Sequence, residues 1–368
     1  MTVRVGLVGC GFIGTVHAFA LKALIGGGLA DAAIAGLCDS DPDKAASLAG
    51  LLGDPQVFED AGDLIDAVDA VWVCTPTSTH MDLVGQVAHG GKALYCEKPL
   101  ATDLAGAEAL LGMAERAGIP HQVGLVLRSG QGASVAAAVL RGELSTPGAS
   151  ALPALSSGTG RPMAAALRDD QYFPIQGLYN STWRKDAEVS GGGTLIEHSI
   201  HDLDLLSWLL GPVESLTATT SSFAGYPGVE DVAVVTMVHE SGASSSLLSV
   251  WHNVTSRPST RRLEVFCEDA YIQVENEHVG PVHVETASGV ADLPMSEDAL
   301  EVLGRLDTLD ELRPHLLSYA VADRSFLDAL GEGRAPWPGL QVGVEAHRLA
   351  DAAYRSAALG SVPTKPLS

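Results

Sequence analysis

The chain has 368 residues, 46% of them hydrophobic and 18% charged, and a net charge of −23. That length allows two domains with a substantial core, and the composition is that of a globular protein rather than a disordered or fibrous one. The acidity argues against nucleic acid and anionic membrane surfaces as partners, since phosphates attract basic surfaces. Five cysteines, an odd number, without a secretory pattern predict reduced thiols in a cytoplasm.

Short apolar runs alternate with helix-like segments over the first 125 residues. Val3 to Val8 reads as a buried strand and Phe12 to Leu24 as a helix. A second strand, Ala33 to Cys38, ends at Asp39. Asp41-Pro42 then opens a helix to about Leu52, with proline in the first turn. Ala70 to Cys74, Ala93 to Cys96 and Gln122 to Leu125 are further strands, separated by helices over Thr79 to His89 and Asp103 to Ala117. Such alternation predicts a parallel sheet covered on both faces. A helix over Ser134 to Leu140 leads into a Gly/Ser/Pro/Ala-rich stretch, Gly142 to Pro162, expected to be a loop or insertion. Five strand-like runs follow between Leu216 and Glu275 with no helix between them, which predicts an antiparallel sheet. Two helices, about Leu312 to Leu330 and Leu340 to Leu359, close the chain. The change of pattern puts a domain boundary near residue 126, giving domains 1–126 and 127–368, with the last helix open to packing back on the first.

Gly9-Cys10-Gly11-Phe12-Ile13-Gly14 is a G-x-G-x-x-G turn between a strand and a helix, the setting in which that spacing cradles a dinucleotide pyrophosphate. The helix N-terminus adds free N–H donors and partial positive charge. Asp39 can accept hydrogen bonds from ribose hydroxyls and repels a 2′-phosphate, which favours NAD over NADP. Ser40 lies beside it. Two more strand ends, Thr75-Pro76-Thr77-Ser78-Thr79-His80 and Glu97-Lys98-Pro99, fall where open α/β sheets bind ligands.

Gly191 to Leu210, GGGTLIEHSIHDLDLLSWLL, reads as one buried helix from about 194 to 210. At 3.6 residues per turn Glu197, His201, Asp204 and Trp208 share one stripe. Charge in a core is costly unless paired or used. The His198/Asp202 and Glu197/His201 spacings also suit a metal ion, but no third ligand cluster accompanies them, so no metal is expected.

GCGFIG, CTPTSTH, the EKP tripeptide and GGGTLIEHSIHDLDLLSWLLG, in that order over nearly the whole chain, resemble the Gfo/Idh/MocA family of NAD(P)-dependent oxidoreductases, the glucose–fructose oxidoreductase and inositol dehydrogenase type. The resemblance implies an α/β fold: an N-terminal Rossmann domain followed by a C-terminal α/β domain with an open, mainly antiparallel sheet. It implies NAD as cofactor, a small polyol (sugar or cyclitol) as substrate, and a homodimer or homotetramer formed through that sheet. By this resemblance Lys98 orients the reacting hydroxyl and His201 accepts its proton. Glu197 stands where the family usually has aspartate. Glu97 matches a residue on the nicotinamide ribose, and Trp183-Arg184 a pair that reaches the nicotinamide or pyrophosphate. Arg128 matches a substrate-side basic residue, with Asp170 and Tyr172 as further substrate candidates in RDDQYFPIQGLY.

Oxidising a secondary alcohol requires a hydride acceptor, a base for the hydroxyl proton and a donor that holds the oxygen. NAD, His201 and Lys98 fill these roles, and Glu197 steadies the imidazole or binds a neighbouring hydroxyl. The alternative is an NAD(P)-binding sensor or scaffold on the same fold, without turnover.

Overall fold

The computed structural model describes residues 2–143, 155, 158–177 and 179–367. In the first half the elements are β1 (Val3–Val8), α1 (Phe12–Gly26), β2 (Ala32–Cys38), α2 (Pro42–Leu52), β3 (Gln56–Phe58), α3 (Ala61–Ala67), β4 (Ala70–Val73), α4 (His80–His89), β5 (Ala93–Cys96), α5 (Leu104–Ala117) and β6 (His121–Val123). All six strands are parallel, in the order β3-β2-β1-β4-β5-β6. Every residue of β4 and β5 is buried, as befits strands covered on both faces. The order reverses between β1 and β4, and their carboxyl ends, Val8 and Val73, are register partners. Such a switch point is where open α/β sheets leave a crevice. β3 and α3 escape the sequence reading because they are so short. Asp60 caps α3, its Oδ1 accepting from the N–H groups of Gly62 and Asp63.

The second half carries α6 (Gln131–Arg141), β7 (Pro162–Tyr172), α7 (Ala187–Ser190), α8 (Thr194–Glu197), α9 (Ile200–Leu210), β8 (Val213–Ser221), β9 (Val232–His239), β10 (Ser244–His252), β11 (Thr260–Cys267), β12 (Ala270–Val274), β13 (Val282–Thr286) and β14 (Gly289–Leu293). Of the expected loop over Gly142 to Pro162, residues 144–154 and 156–157 lie outside the described residues. The eight strands form one sheet, β14-β13-β12-β11-β7-β10-β9-β8. It is antiparallel except between β7 and β10, which are parallel. One face alternates Leu167, Val235, Met237, Leu247, Leu263, Val265 and Ile272 into a core shared with α6 and α9 residues. A leucine fully buried there contributes about 1.5–3 kcal/mol.

β7 is the central strand and the one the sequence conceals. Its alternation runs through Ala165 and Leu167 to Asp169, a carboxylate at 0% exposure where an apolar residue is the rule. The single helix expected over 194–210 is in fact two. Its path breaks at His198 (φ −120°) and Ser199, whose N–H reaches the Thr194 carbonyl at 2.8 Å. Both residues turn down to the sheet. His198 Nε2 lies 2.8 Å from Asp169, and Ser199 Oγ donates to Ser249 Oγ at 2.6 Å. Glu197 therefore ends α8 while His201 sits in the first turn of α9, and the predicted stripe is not continuous.

Three helices complete the chain: α10 (Glu297–Arg305), α11 (Arg313–Glu332) and α12 (Leu340–Ala358). The chain divides into two compact units, Met1–Val126 with Glu301–Val344, and Leu127–Leu300 with Glu345–Ser368. A single boundary at residue 126 misses the return of Glu301–Val344 to the first unit, where Phe326 and Leu327 of α11 join the core of Val5, Leu7 and Trp72. No helix among the described residues is long and apolar enough to cross a membrane.

Candidate active site

In the first unit, the turn after β1 has the geometry that its three glycines demand. Gly9 has φ +97°, and a Cβ there would meet the Cys74 and Thr75 backbone at 2.7–2.9 Å. A Cβ on Gly14 would lie 1.9 Å from the Gly9 carbonyl oxygen, so only glycine lets α1 pack this close. A Cβ on Gly11 would meet nothing within 4 Å, which leaves its backbone open to a ligand. Phe12 and Ile13 form the first turn of α1, whose end N–H groups point toward that space. Asp39 is held from both sides: its Oδ2 accepts from Cys10 N–H at 2.7 Å and its Oδ1 from Asp41 N–H at 2.8 Å. The carboxylate is thereby fixed beside the glycine turn, with Ser40 exposed next to it. This cradle fits the pyrophosphate and ribose of a dinucleotide.

The loop after β4 is braced by its own hydroxyls. Thr79 Oγ1 donates to Thr75 Oγ1 at 2.7 Å and lies 2.8 Å from the Pro76 carbonyl, while Thr77 is buried. His80, expected among the cofactor contacts, is 1% exposed and faces the Thr75 carbonyl at 3.0 Å and the Leu100 carbonyl at 3.3 Å. It braces two loops against each other. Glu97 is likewise turned inward, at 4% exposure. Its Oε1 lies 3.1 Å from His17 Nε2 and its Oε2 accepts the Lys98 N–H at 3.2 Å. Both oxygens are engaged, so its geometry supports the loop better than the ribose contact expected of it. Lys98 follows at the end of β5, half-buried.

In the second unit, His201 is buried in the first turn of α9. Glu197 is buried and paired with Arg184 Nε at 3.0 Å, and the Arg184 guanidinium covers the Trp183 ring at 4.5 Å. Three residues expected to touch substrate or cofactor, Glu197, Arg184 and Trp183, thus form one cluster. Arg128 is committed elsewhere. It grips Asp204 with two hydrogen bonds, 2.7 and 2.8 Å, and lies over Trp208 at 5.1 Å. That two-point pair anchors α9. Asp170 is paired as well. Alternation sets it on the face of β7 opposite Asp169, where it accepts from Thr260 Oγ1 at 2.8 Å and pairs with Arg257. It is not brought together with His201. Tyr172 ends β7 and packs on Tyr179, ring centres 5.4 Å apart.

Beneath α8 and α9 lies a polar network that sequence reasoning missed. Arg261 on β11 donates to Asp202 at 2.8 Å, Asp169 at 2.9 Å and Glu277 at 3.1 Å. Burial, together with the nearby Asp169 charge, pushes the Asp202 carboxyl up to about 7. The start of α8 is held by Glu230, whose carboxylate accepts from Gly193 N–H at 2.9 Å, Leu195 N–H at 2.8 Å and Tyr354 Oη at 3.0 Å. A Cβ on Gly193 would sit 1.8 Å from the Glu230 carbonyl oxygen, which accounts for glycine there. The signal for Asp169 and Arg261 was a charge at an inward strand position, visible only once the strand is known. Among the described residues no group of three or more His, Cys, Asp or Glu could hold a metal ion. His198, one of the spaced candidates, instead faces Arg261 Nη2 at 3.1 Å, a cation in the place where a metal would need to be.

A doubly wound dinucleotide domain joined to an open, mostly antiparallel sheet defines a class of nucleotide-dependent oxidoreductases. Residues 3–125 match the model of the oxidoreductase family with NAD-binding Rossmann fold, GFO/IDH/MocA, and residues 155–273 match the GFO/IDH/MocA C-terminal domain. The chain belongs to this family, and its first unit is an NAD-binding domain. It is 30% identical over 369 residues to an inositol 2-dehydrogenase of Rhizobium meliloti (strain 1021), covering 97% of this chain and 98% of that one. A solved structure of a putative myo-inositol dehydrogenase from Sinorhizobium meliloti 1021 superposes with TM-score 0.75 at 27% identity, covering both chains fully at 100%. A levoglucosan dehydrogenase solved with NADH and levoglucosan shares the fold, with TM-score 0.83, 22% identity and 100% of both chains covered.

Proposed function

We propose that this protein oxidises a secondary hydroxyl of a sugar or cyclitol with NAD. The observation that carries this reading is the near full-length similarity to an inositol 2-dehydrogenase, and the Lys98 of the EKP tripeptide and His201 of α9 are the residues we assign to its chemistry. Gly9, Gly11, Phe12, Ile13 and Gly14 hold the pyrophosphate, and Asp39 takes the ribose hydroxyls, which selects NAD over NADP. Thr75, Pro76 and Thr77 line the same edge of the sheet. Bound NAD supplies the hydride acceptor.

The remaining work falls to side chains. Lys98 donates a hydrogen bond to the reacting oxygen and holds it as negative charge develops. His201 takes the hydroxyl proton as general base. Glu197, fixed by Arg184, accepts from an adjacent substrate hydroxyl. Arg128 and Arg184 are each paired with a carboxylate, which favours an uncharged polyol over a phosphorylated one.

The outward face of the second sheet supports self-association into a dimer or tetramer. It exposes Val234, Val238, Leu248 and Phe266 on β9 to β11, apolar residues that a partner surface would cover. All five cysteines are free and buried, in keeping with a reducing cytoplasm. The test of the function is NADH formation, read by absorbance, across a panel of inositols, hexoses, pentoses and anhydro sugars. Turnover of an uncharged polyol supports the reading. NAD binding without NADH from any polyol overturns it in favour of a sensor.

A further inference from the structure

His17 on α1 is fully buried, at 0% exposure, and faces an acid on each side. Its Nδ1 lies 2.8 and 3.0 Å from the two oxygens of Asp323 on α11, and its Nε2 lies 3.1 Å from Glu97 Oε1. A carboxylate only accepts, so a ring that bonds both acids must carry a proton on each nitrogen. Burial by itself lowers the His17 pKa, but Asp323 and then Glu97 outweigh it and raise it to about 10. Burial also pushes Asp323 upward. The Trp72 Nε1–H donated to Asp323 Oδ1 at 2.9 Å and the His17 charge both oppose that push and favour the ionised carboxylate. The other titratable groups around the triad are Tyr95, Tyr319, Cys74 and Cys96. Burial raises the Tyr95 phenol and both thiols, which therefore stay neutral.

The triad joins the two segments that the cofactor reading depends on. His17 stands one turn into the helix that the glycine signature opens. Glu97, through its second oxygen, takes the N–H of Lys98. We infer that His17 is a positioning residue: a buried imidazolium that locks the Glu97 carboxylate and so presents Lys98 to the substrate oxygen in one fixed place. The inference rests on the proposed role of Lys98, but the charge on His17 does not.

The consequence is a specific pH signature. His17→Gln leaves two buried carboxylates around a neutral amide, and two such acids cannot both stay ionised, so one takes up a proton. When rising pH removes that proton, the carboxylates repel and the Lys98 loop shifts. The kcat of the variant is expected to be lower by roughly 10- to 100-fold, the cost of a misplaced group, and to fall further as pH rises. A base-dependent wild type rises instead. In His17→Gln/Asp323→Asn the second acid is gone and the falling limb disappears. A variant that merely packs poorly would lose activity without that limb.

The charge is read without turnover. In protein labelled with ¹⁵N-histidine, one histidine should keep both ring nitrogens protonated at about pH 8, above the ordinary histidine range, and this signal should vanish in His17→Gln. No imidazolium at that pH overturns the inference, and so does a His17→Gln variant with wild-type kcat and pH profile. If the wild type turns over no polyol, the functional reading fails while the NMR result still decides the state of His17.

Discussion

Arg261 ties Asp202 to Asp169 beneath the break between α8 and α9, donating to the first at 2.8 Å and to the second at 2.9 Å. Three acids, Asp202, Asp169 and Glu277, crowd this one guanidinium, and burial with the neighbouring Asp169 charge raises the Asp202 carboxyl to about 7. The folded chain therefore holds a proton that the unfolded chain releases. The stabilisation from this group is full below the unfolded aspartate value of 3.8 and is lost as pH rises through the folded value of about 7. Urea midpoints at about pH 5 and about pH 8 should differ more in the wild type than in Asp202→Asn, which keeps an acceptor for Arg261 without the titration. An unchanged pH difference in Asp202→Asn would exclude the raised Asp202 carboxyl.

His201 is the residue whose loss should separate chemistry from binding. His201→Ala is expected to reduce kcat by roughly 10²- to 10⁴-fold, the range for a general base. NAD affinity, measured by calorimetry, should stay close to wild type, since the dinucleotide cradle lies in the other unit. Full turnover in the variant would remove His201 from the mechanism.

Asp39 makes a different kind of prediction. Its two oxygens already accept the N–H groups of Cys10 and Asp41, so Asp39→Ala loosens the glycine turn as well as removing the carboxylate we assign to the ribose. NAD binding should weaken, and the ratio of NAD to NADP affinity should fall toward one. A wild type that prefers NADP would contradict the assignment at once.

Arg128 offers a test of stability rather than activity. Arg128→Ala strands Asp204 in the core of the second unit, which typically costs ~3–5 kcal/mol. Replacing both partners by apolar residues of similar size, Arg128→Met with Asp204→Leu, should recover most of that loss. If the double variant is no more stable than Arg128→Ala, the pair is not what anchors α9.

What could be read in advance was local. The glycine turn, Asp39 and the strand–helix alternation each reside in a few adjacent residues, and the structure has them as expected. Where the sequence misled, the deciding partner was distant. Asp169 was passed over beside Asp170 in RDDQYFPIQGLY, because the Arg261 that lets it be buried comes from another strand. His17 drew no functional reading, since its partner Asp323 lies 306 positions away. The unbroken helix over 194–210 was a fair reading of its periodicity. It failed because His198 and Ser199 bond to groups on β7 and β10 that no helical spacing records.

The parallel pairing of β7 with β10 also governs how the second unit can be made. β7 ends at Tyr172, yet its two sheet neighbours begin only at Ser244 and Thr260. As the chain leaves the ribosome, this strand waits with both edges bare while β8 and β9 pair next to each other. Non-local pairing of this sort closes slowly, and an unpaired edge invites another chain. The Arg168, Asp169 and Asp170 run that hid β7 from the sequence reading puts charge on that bare strand during the wait, and thereby guards it against aggregation until β10 and β11 arrive.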